Sequence, residues 1–224
     1  MNLVVATSTT KDGNMAITKD QSNKDEVIQN RRTFLSNLGI NMEDATRVII
    51  VYEGENYRRY REVDERDKAT GMFNGDGAAA DALVTRTPGQ ALFLPLADCV
   101  GTTIYDPEQQ VLMLSHVGRH SLEQSGAETS VKYLVDNYGC HPEDLLIWLT
   151  PAPGKERYPL YAFDNRSFKD VVFEQLQTAG IRRQNITDDP TDTTNNPSYH
   201  SHSEFLAGRQ ADDGRYAMVA MMQP

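Results

Sequence analysis

ALFLPLADCVGTTIYDPEQQVLMLSHVG, residues 91–118, is the stretch of sequence that determines the fold prediction. It contains three short, nearly all-apolar runs at residues 91–96, 102–105 and 111–114. Runs this short and this rich in aliphatic and β-branched residues are typical of buried strands. Asp106-Pro107 is a turn signal between the last two runs, so these two strands are predicted to form a hairpin.

Three amphipathic helices are predicted around these strands. The first runs from a capping-box-like start at Ser22 to Gly39, and it carries Arg31 on its apolar side. The other two cover residues 126–138 and about 168–176, and a glycine ends each of them.

Three further apolar runs predict additional strands. They lie at residues 48–52, 145–149 and 216–222. The polar residues 54–79 are predicted to form a solvated excursion and residues 185–200 a loop. Strands and helices do not alternate regularly, which favours an α/β fold of the mixed α+β sandwich kind over a doubly wound sheet. We expect a single domain over residues 1–224, with a mixed sheet and flanking helices.

Composition limits the classes of function. The chain has 224 residues, a net charge of -10 and a pI near 4.9, so binding to nucleic acid or to an anionic membrane is not expected. Two cysteines cannot build a disulfide framework. No signal peptide and no run of about 20 apolar residues is visible. We therefore expect a soluble, cytoplasmic protein, and the oligomeric state stays open.

Cys99 and His116 are the strongest candidates for chemistry, because each follows or ends an apolar run. Strand ends are where side chains leave a core and reach a cleft. The pair suggests either a metal site or a cysteine nucleophile with a histidine base. The alternative is a small buried thiol and a core histidine, since their spacing matches no zinc-finger pattern.

Charged residues in apolar surroundings are weaker candidates. Arg31 is predicted either to snorkel or to pair with a buried acid or a bound anion, and Asp81 and Asp98 are candidate partners. Arg209, which follows a loop, is a second candidate for anion binding. His202 lies in the same polar region, where it is either structural or directed inward.

Several segments, taken together in order, resemble the multicopper polyphenol oxidase (laccase-domain) family, many of whose members are described as purine nucleoside phosphorylases. The resemblance extends over nearly the whole chain from about residue 12. The segments are Asn30-Arg31, residues 80–85, Ala97-Asp98-Cys99, residues 115–118, residues 199–202 and Gly208-Arg209.

The resemblance implies a metal site. It gives ligand roles to Cys99 and His116, and it places Glu53 where the family has another histidine. A set of glutamate, cysteine and histidine suits zinc and leaves an open fourth position, whereas copper is less favoured because a carboxylate is a harder ligand than imidazole.

The chain also departs from the family pattern. Residues 116–121 read His-Val-Gly-Arg-His-Ser where the family has His-Ala-Gly-Trp-Arg-Gly. Gly101 replaces a proline, and Ser203-Glu204 replaces a double arginine. The resemblance therefore indicates a divergent member.

The resemblance implies an enzyme, a zinc-dependent transferase or hydrolase that cleaves adenosine or inosine with phosphate and has a possible adenosine deaminase side activity. The expected partners are thus a small-molecule nucleoside and phosphate. The implied catalytic residues are Cys99, His116 and Arg31. The implied substrate- or phosphate-binding residues are Asn30, Arg31, Asp81, Arg119, His202 and Arg209.

Three alternatives stay open. The first is a metal-free cysteine hydrolase that uses Cys99 and His116. The second is a degenerate, non-catalytic protein that binds a nucleotide-like or cell-wall-precursor ligand. Polyphenol oxidation is less favoured, because five histidines in total are too few for a multicopper centre.

Overall fold

The computed structural model describes residues 2–52 and 54–224, and within these it contains eleven strands and five helices. The strands are β1 Leu3–Thr7, β2 Ala45–Ile49, β3 Tyr60–Glu62, β4 Ala78–Ala79, β5 Ala82–Thr85, β6 Ala91–Leu96, β7 Val100–Asp106, β8 Val111–Val117, β9 Leu146–Leu149, β10 Ile186–Asp188 and β11 Tyr216–Met222. The helices are α1 Lys24–Asn37, α2 Arg119–Glu123, α3 Gly126–Tyr138, α4 Phe168–Thr178 and α5 His202–Leu206.

The strands form two mixed sheets. One has the order β1-β11-β6-β2-β4, and the other has the order β10-β9-β7-β8-β5-β3. In the second sheet β7 and β8 form an antiparallel hairpin in which Gly101 lies opposite His116. The predicted hairpin and the predicted mixed sandwich are therefore confirmed.

The two sheets pack face to face, and helices cover their outer faces. Leu92 and Leu94 of the first sheet meet Leu112 and Leu114 of the second sheet in the central core. The alternate residues of β8 point the other way, toward a second core beneath α3 and α4. Helix α1 covers the outer face of the first sheet. Side chains alternate between the two faces of a strand. A nearly continuous apolar strand such as β8 therefore contributes residues to the core on each side of its sheet.

Some expectations differ from the structure. The apolar run at 48–52 was expected to be a strand, but the strand is Ala45–Ile49. The N-terminal strand Leu3–Thr7 was not predicted, although it pairs along β11. Residues 54–79 are not wholly a solvated excursion, because Val63 and Met72 are buried. Residues 186–188 form a short strand on β9 within the predicted loop.

Arg31 is a structural residue, which corrects the prediction that it binds phosphate and is catalytic. Its side chain is 0% exposed. Its Nε donates to the Met15 carbonyl at 3.0 Å, and its Nη1 donates to the Gly71 and Met72 carbonyls at 3.0 and 2.7 Å. Neither Asp81 nor Asp98 is among these partners. Burial, together with nearby Arg47, lowers the pKa of Arg31 to about 9.

Asn30 has a similar structural role. Its Nδ2 donates to the Asn14 carbonyl at 3.1 Å, so its amide holds the loop that precedes α1. Arg31 and Asn30 thus attach helix α1 to backbone segments that have no regular secondary structure of their own. Burial of backbone carbonyls requires such donors.

No helix among residues 2–52 and 54–224 combines the length and the apolar character that a membrane crossing needs.

Replacing Arg31 tests this structural role. Arg31→Ala leaves three carbonyls without a side-chain donor and opens a cavity, so we expect it to lower the free energy of unfolding by about 3 kcal/mol or more. Urea unfolding measures this loss. The matched control is Arg32→Ala, which removes a half-exposed arginine that lies 3.8 Å from Glu43 and is expected to cost less than about 1 kcal/mol. Equal stability of the two variants would contradict the structural role of Arg31.

Candidate active site

A cavity of about 430 Å³ opens where the ends of β6 and β8 meet helices α2 and α5. It receives side chains from both sheets and from the segment that joins β2 to β3. Its lining consists of Ile50, Tyr52, Tyr57, Pro95, Leu96, Ala97, Asp98, Cys99, His116, Gly118, Arg119, His120, Ser121, Tyr158, His202, Ser203, Leu206 and Arg215.

Cys99 and His116 face the same small space in this cavity. Cys99 directly precedes β7, and His116 is the penultimate residue of β8. A Cβ atom at Gly118 would lie 3.1 Å from the Cys99 Sγ and 2.9 Å from the His116 Cε1. Gly118 has an extended backbone that any residue adopts, so a glycine is required there by this close approach and not by its φ angle.

Burial sets the charge state of both groups. It raises the pKa of the Cys99 thiol to about 12, and the neighbouring Asp98 carboxylate adds to that effect. It also lowers the pKa of His116 to about 4. Near neutral pH the pair is therefore a neutral thiol and a neutral imidazole. A cation placed between them would favour the thiolate, and a neutral imidazole is the form that binds metals.

Asp98 connects the loop before Cys99 to helix α5. The Ser201 hydroxyl donates to its Oδ1 at 2.7 Å, and the Ser203 backbone N–H donates to its Oδ2 at 2.6 Å. These two residues flank His202, so the carboxylate holds the segment that carries this histidine. Asp98 has a φ of 61°, a left-handed conformation that aspartate and asparagine tolerate better than most residues.

The cavity wall carries two arginines, Arg119 and Arg215, and the histidine His202. His202 Nδ1 lies 2.8 Å from Asp213 Oδ1, and Arg215 Nη1 donates to the same oxygen at 2.6 Å. Arg119 differs from Arg215, because within the described chain no carboxylate lies at ion-pair distance from it. Its recorded polar contact is with His120 Nε2 at 3.4 Å. As far as the described residues show, Arg119 is thus a cation available to an incoming anion.

Two further predicted substrate residues lie outside this lining. Asp81 is bound by Arg59, whose Nε is 3.0 Å from Asp81 Oδ2, and its backbone carbonyl accepts from the His116 N–H at 2.8 Å. Asp81 therefore holds the backbone of His116 in place from outside the cavity lining. Arg209 binds the buried Glu204 through Nε and Nη2, both at 2.6 Å. Because Asp81 is buried against Arg59, the expectation that it contacts substrate is corrected. The ion pair with Glu204 uses the Nε–Nη2 edge of Arg209, whose side chain is half exposed, so phosphate binding by Arg209 stays a prediction.

The predicted third metal ligand, Glu53, lies outside the described residues. Within residues 2–52 and 54–224, no group of three histidine, cysteine, aspartate or glutamate residues is arranged to hold a metal ion. Cys99 and His116 have the donor atoms that zinc prefers and face a shared space. The described residues therefore fit two positions of a zinc site, and position 53 stays a prediction.

Aromatic residues of the cavity were not predicted from the sequence. Tyr52 and Tyr57 come from the segment between β2 and β3, and Tyr158 comes from the loop after β9. None is adjacent in sequence to the Cys99 or His116 motif. A possible signal was the presence of three tyrosines, Tyr52, Tyr57 and Tyr60, within the mostly charged and polar residues 52–68.

The fold and the site together define a class of protein. It is an α/β protein with two packed mixed sheets and a cysteine–histidine cavity at their edge. A family model described as multi-copper polyphenol oxidoreductase laccase matches residues 4–171. The chain belongs to this family.

Curated relatives are similar over part of the chain. A purine nucleoside phosphorylase of Haemophilus influenzae is 28% identical over 86 residues, which are 38% of this chain and 34% of that protein. A purine nucleoside phosphorylase of Deinococcus radiodurans is 30% identical over 114 residues, which are 51% of this chain and 40% of that protein. The aligned part thus spans less than half of the length of either relative.

Solved structures share the fold over nearly the full chain. The hypothetical protein YfiH of Bacillus licheniformis has a TM-score of 0.85 at 22% identity, covering 99% of this chain and 93% of its own. YlmD from Geobacillus stearothermophilus has a TM-score of 0.83 at 18% identity, covering 99% and 92%. These likenesses confirm the fold.

Replacing Asp98 tests the link between the Cys99 loop and α5. Asp98→Ala removes two accepted hydrogen bonds and places alanine at a left-handed φ, so we expect it to lower the free energy of unfolding by about 3 kcal/mol. Asp98→Asn retains an acceptor and tolerates this φ, so its cost is expected to be about 1 kcal/mol. Urea unfolding of both variants measures these losses.

Asp164→Ala is the matched control for the backbone conformation. Asp164 also has a left-handed φ, of 53°, but it is exposed. It therefore isolates the conformational cost from the cost of the lost hydrogen bonds. If Asp98→Ala were no more destabilising than Asp164→Ala, the link to α5 would contribute nothing to stability.

Proposed function

We propose that the chain is a purine nucleoside phosphorylase, which cleaves a nucleoside such as adenosine or inosine with phosphate into the free base and ribose 1-phosphate. The observation that carries this proposal is the position of Arg119, a cation without a carboxylate partner in the described chain, in the same cavity as Cys99 and His116. The names of the curated relatives support the same reaction.

The size and charge of the cavity suit these reactants. A volume of about 430 Å³ lies within the range of small-molecule sites. The protein has a net charge of -10, so an anion is repelled from most of its surface. Arg119 and the neighbouring Arg215 give the cavity wall a local positive character, and an arginine fork matches phosphate oxygens well.

The proposed reaction exchanges one bond at the ribose for another. A phosphate oxygen forms a bond to the anomeric carbon, and the bond from that carbon to the base nitrogen breaks with its electron pair going to the base. The departing base nitrogen takes up one proton, which is the proton that the hydrogen phosphate gives up when its oxygen bonds to the anomeric carbon. Arg119 binds and orients the phosphate. His202, whose Nδ1 is engaged by Asp213, retains Nε2 for holding a proton or a hydrogen bond near the departing base.

A zinc ion is proposed as the resident metal, held by Cys99 and His116 with Glu53 as the predicted third ligand. When bound, zinc supplies Lewis-acid polarisation or an activated water, which would also serve the proposed deaminase side activity. The buried neutral imidazole of His116 is in the protonation state that a metal ligand requires. Copper is less favoured, because the carboxylate of Glu53 is a harder ligand than the imidazole it would replace.

The metal-free cysteine hydrolase is disfavoured by the charge states of the pair. A cysteine nucleophile needs a thiolate, which a nearby imidazolium commonly stabilises. Such a pair needs a lowered thiol pKa and a raised imidazole pKa. Here burial does the opposite, because it raises the pKa of Cys99 and lowers that of His116. A non-catalytic ligand-binding protein is the remaining alternative, and measurements of turnover distinguish it.

The first test is phosphate-dependent release of free base from adenosine and inosine by zinc-supplemented protein. We expect turnover that requires phosphate and falls at least 100-fold in His116→Ala, because this substitution removes a proposed zinc ligand from the cavity. His141→Ala is the matched control, since His141 is exposed and lies outside the cavity lining, and it should retain full activity. Binding of nucleoside without turnover in folded, zinc-loaded protein would instead favour the non-catalytic alternative.

The second test is zinc titration. Cys99→Ala and His116→Ala are each expected to weaken zinc binding at least tenfold, because each removes a soft or borderline donor. The matched control is Cys140→Ala, which removes the other free thiol, buried beneath the second sheet. Glu53→Ala tests the third ligand in the same way. Unchanged zinc affinity in Cys99→Ala would refute the metal site, and unchanged affinity in Glu53→Ala would remove only Glu53.

A further inference from the structure

We propose that Tyr57 and His120 form an aromatic subsite that binds the planar base of the nucleoside by stacking. This inference rests on the proposed function. It assigns a role to Tyr57, which lies outside the family motifs, and to His120, which stands where the family motif has arginine. It also specifies the ligand class recognised by this wall of the cavity, a flat heteroaromatic ring system, as distinct from the ribose and the phosphate.

The two rings already form a stacked pair. Their centroids are 5.0 Å apart, and the ring planes are inclined by 22°. Both side chains line the cavity. Rings at this distance and angle lie face to face, so each covers one face of the other and leaves its outer face for a ligand. A nucleobase that packs on an outer face extends the stack, because every base has a π-face.

Tyr57 is held in place at several points, although it lies in a segment without regular secondary structure. Its backbone N–H donates to Gln124 Oε1 at 3.1 Å, and Gln124 Nε2 donates to the Glu55 carbonyl. The Tyr57 hydroxyl lies 3.5 Å from the Tyr52 carbonyl oxygen. The ring is therefore positioned before a ligand arrives, which lowers the entropy cost of binding.

The same helix supplies both parts of this arrangement. His120 lies in α2, and Gln124 is the residue that follows its end. His120 Nδ1 also lies 3.3 Å from Glu123 Oε2, which fixes the orientation of the imidazole. Gln124 is thus a positioning residue that attaches the Tyr57 segment to the helix that carries His120.

The cation and the aromatic pair are adjacent along the wall. Arg119 directly precedes His120 in α2, and Arg119 is the side chain proposed to bind phosphate. A site that takes a flat base and an anion together needs both surfaces within one small cavity. This adjacency favours a base on Tyr57 and His120 over a second anion at the same position.

The test measures the binding of adenine and of inosine by isothermal titration calorimetry, together with the KM values for inosine and phosphate. Tyr57→Leu keeps an apolar side chain but removes the ring. We expect it to weaken adenine and inosine binding about 10- to 100-fold and to leave the KM for phosphate within about twofold. Tyr57→Phe retains the ring and is expected to bind adenine within about threefold of the unsubstituted protein.

Two further variants separate stacking from general damage to the fold. Tyr161→Leu is the matched control, because Tyr161 is 80% exposed and lies outside the cavity lining, and it should bind adenine normally. Gln124→Ala keeps both rings but releases the segment, so we expect about a three- to tenfold weaker affinity for adenine. Thermal unfolding verifies that each variant is folded.

The outcomes distinguish this subsite from the proposed function itself. If the unsubstituted protein binds neither adenine nor inosine, both proposals are overturned. If it binds them and Tyr57→Leu binds equally well, the aromatic subsite is refuted while the phosphorylase proposal stands. Weaker binding in Tyr57→Leu and in Tyr57→Phe alike would also refute stacking, since it would point to the hydroxyl group.

Discussion

The antiparallel pairing of β7 with β8 is the constraint on which the candidate site depends. Its register places Gly101 opposite His116 and Val100 opposite Val117. Cys99, one residue before β7, is thereby brought beside Gly118, one residue after β8. A slip by one residue would turn every side chain of one strand to the opposite face. The two cores on either side of β8 oppose such a slip, because both need apolar residues in the present register.

Burial is the second physical factor that defines the site. It keeps Cys99 and His116 uncharged, while Arg119 and Arg215 line the same cavity. The carboxylates near the cavity are mostly engaged: Asp81 by Arg59, Glu204 by Arg209 and Asp213 by Arg215. Among the described residues, this arrangement leaves Arg119 without a carboxylate partner in an acidic protein.

The sequence predicted the parts of the fold and site that depend on local patterns. Strand Ala91–Leu96 and helix Gly126–Tyr138 have the predicted bounds, because uninterrupted apolar runs and a helical stripe with a glycine stop are local signals. Cys99 and His116 could be singled out since both stand at strand ends. Arg31 was misassigned because its partners are backbone carbonyls far away in sequence, which a pattern of residue types does not reveal. The roles of Tyr57 and Asp98 likewise depend on partners that are distant in sequence. Gln124 lies 67 positions from Tyr57, and Ser201 lies 103 positions from Asp98.

The position of β11 has a consequence for how the molecule is made during synthesis. Residues 216–222 lie inside their sheet, between β1 and β6, so this sheet is split until the ribosome has translated them. The nascent chain before that point exposes the edges of β1 and β6, each of which can pair with another chain. We therefore expect the first sheet to be completed only once residues 216–222 have been translated, and chaperone binding to chains that still lack these residues to be concentrated on these two strands.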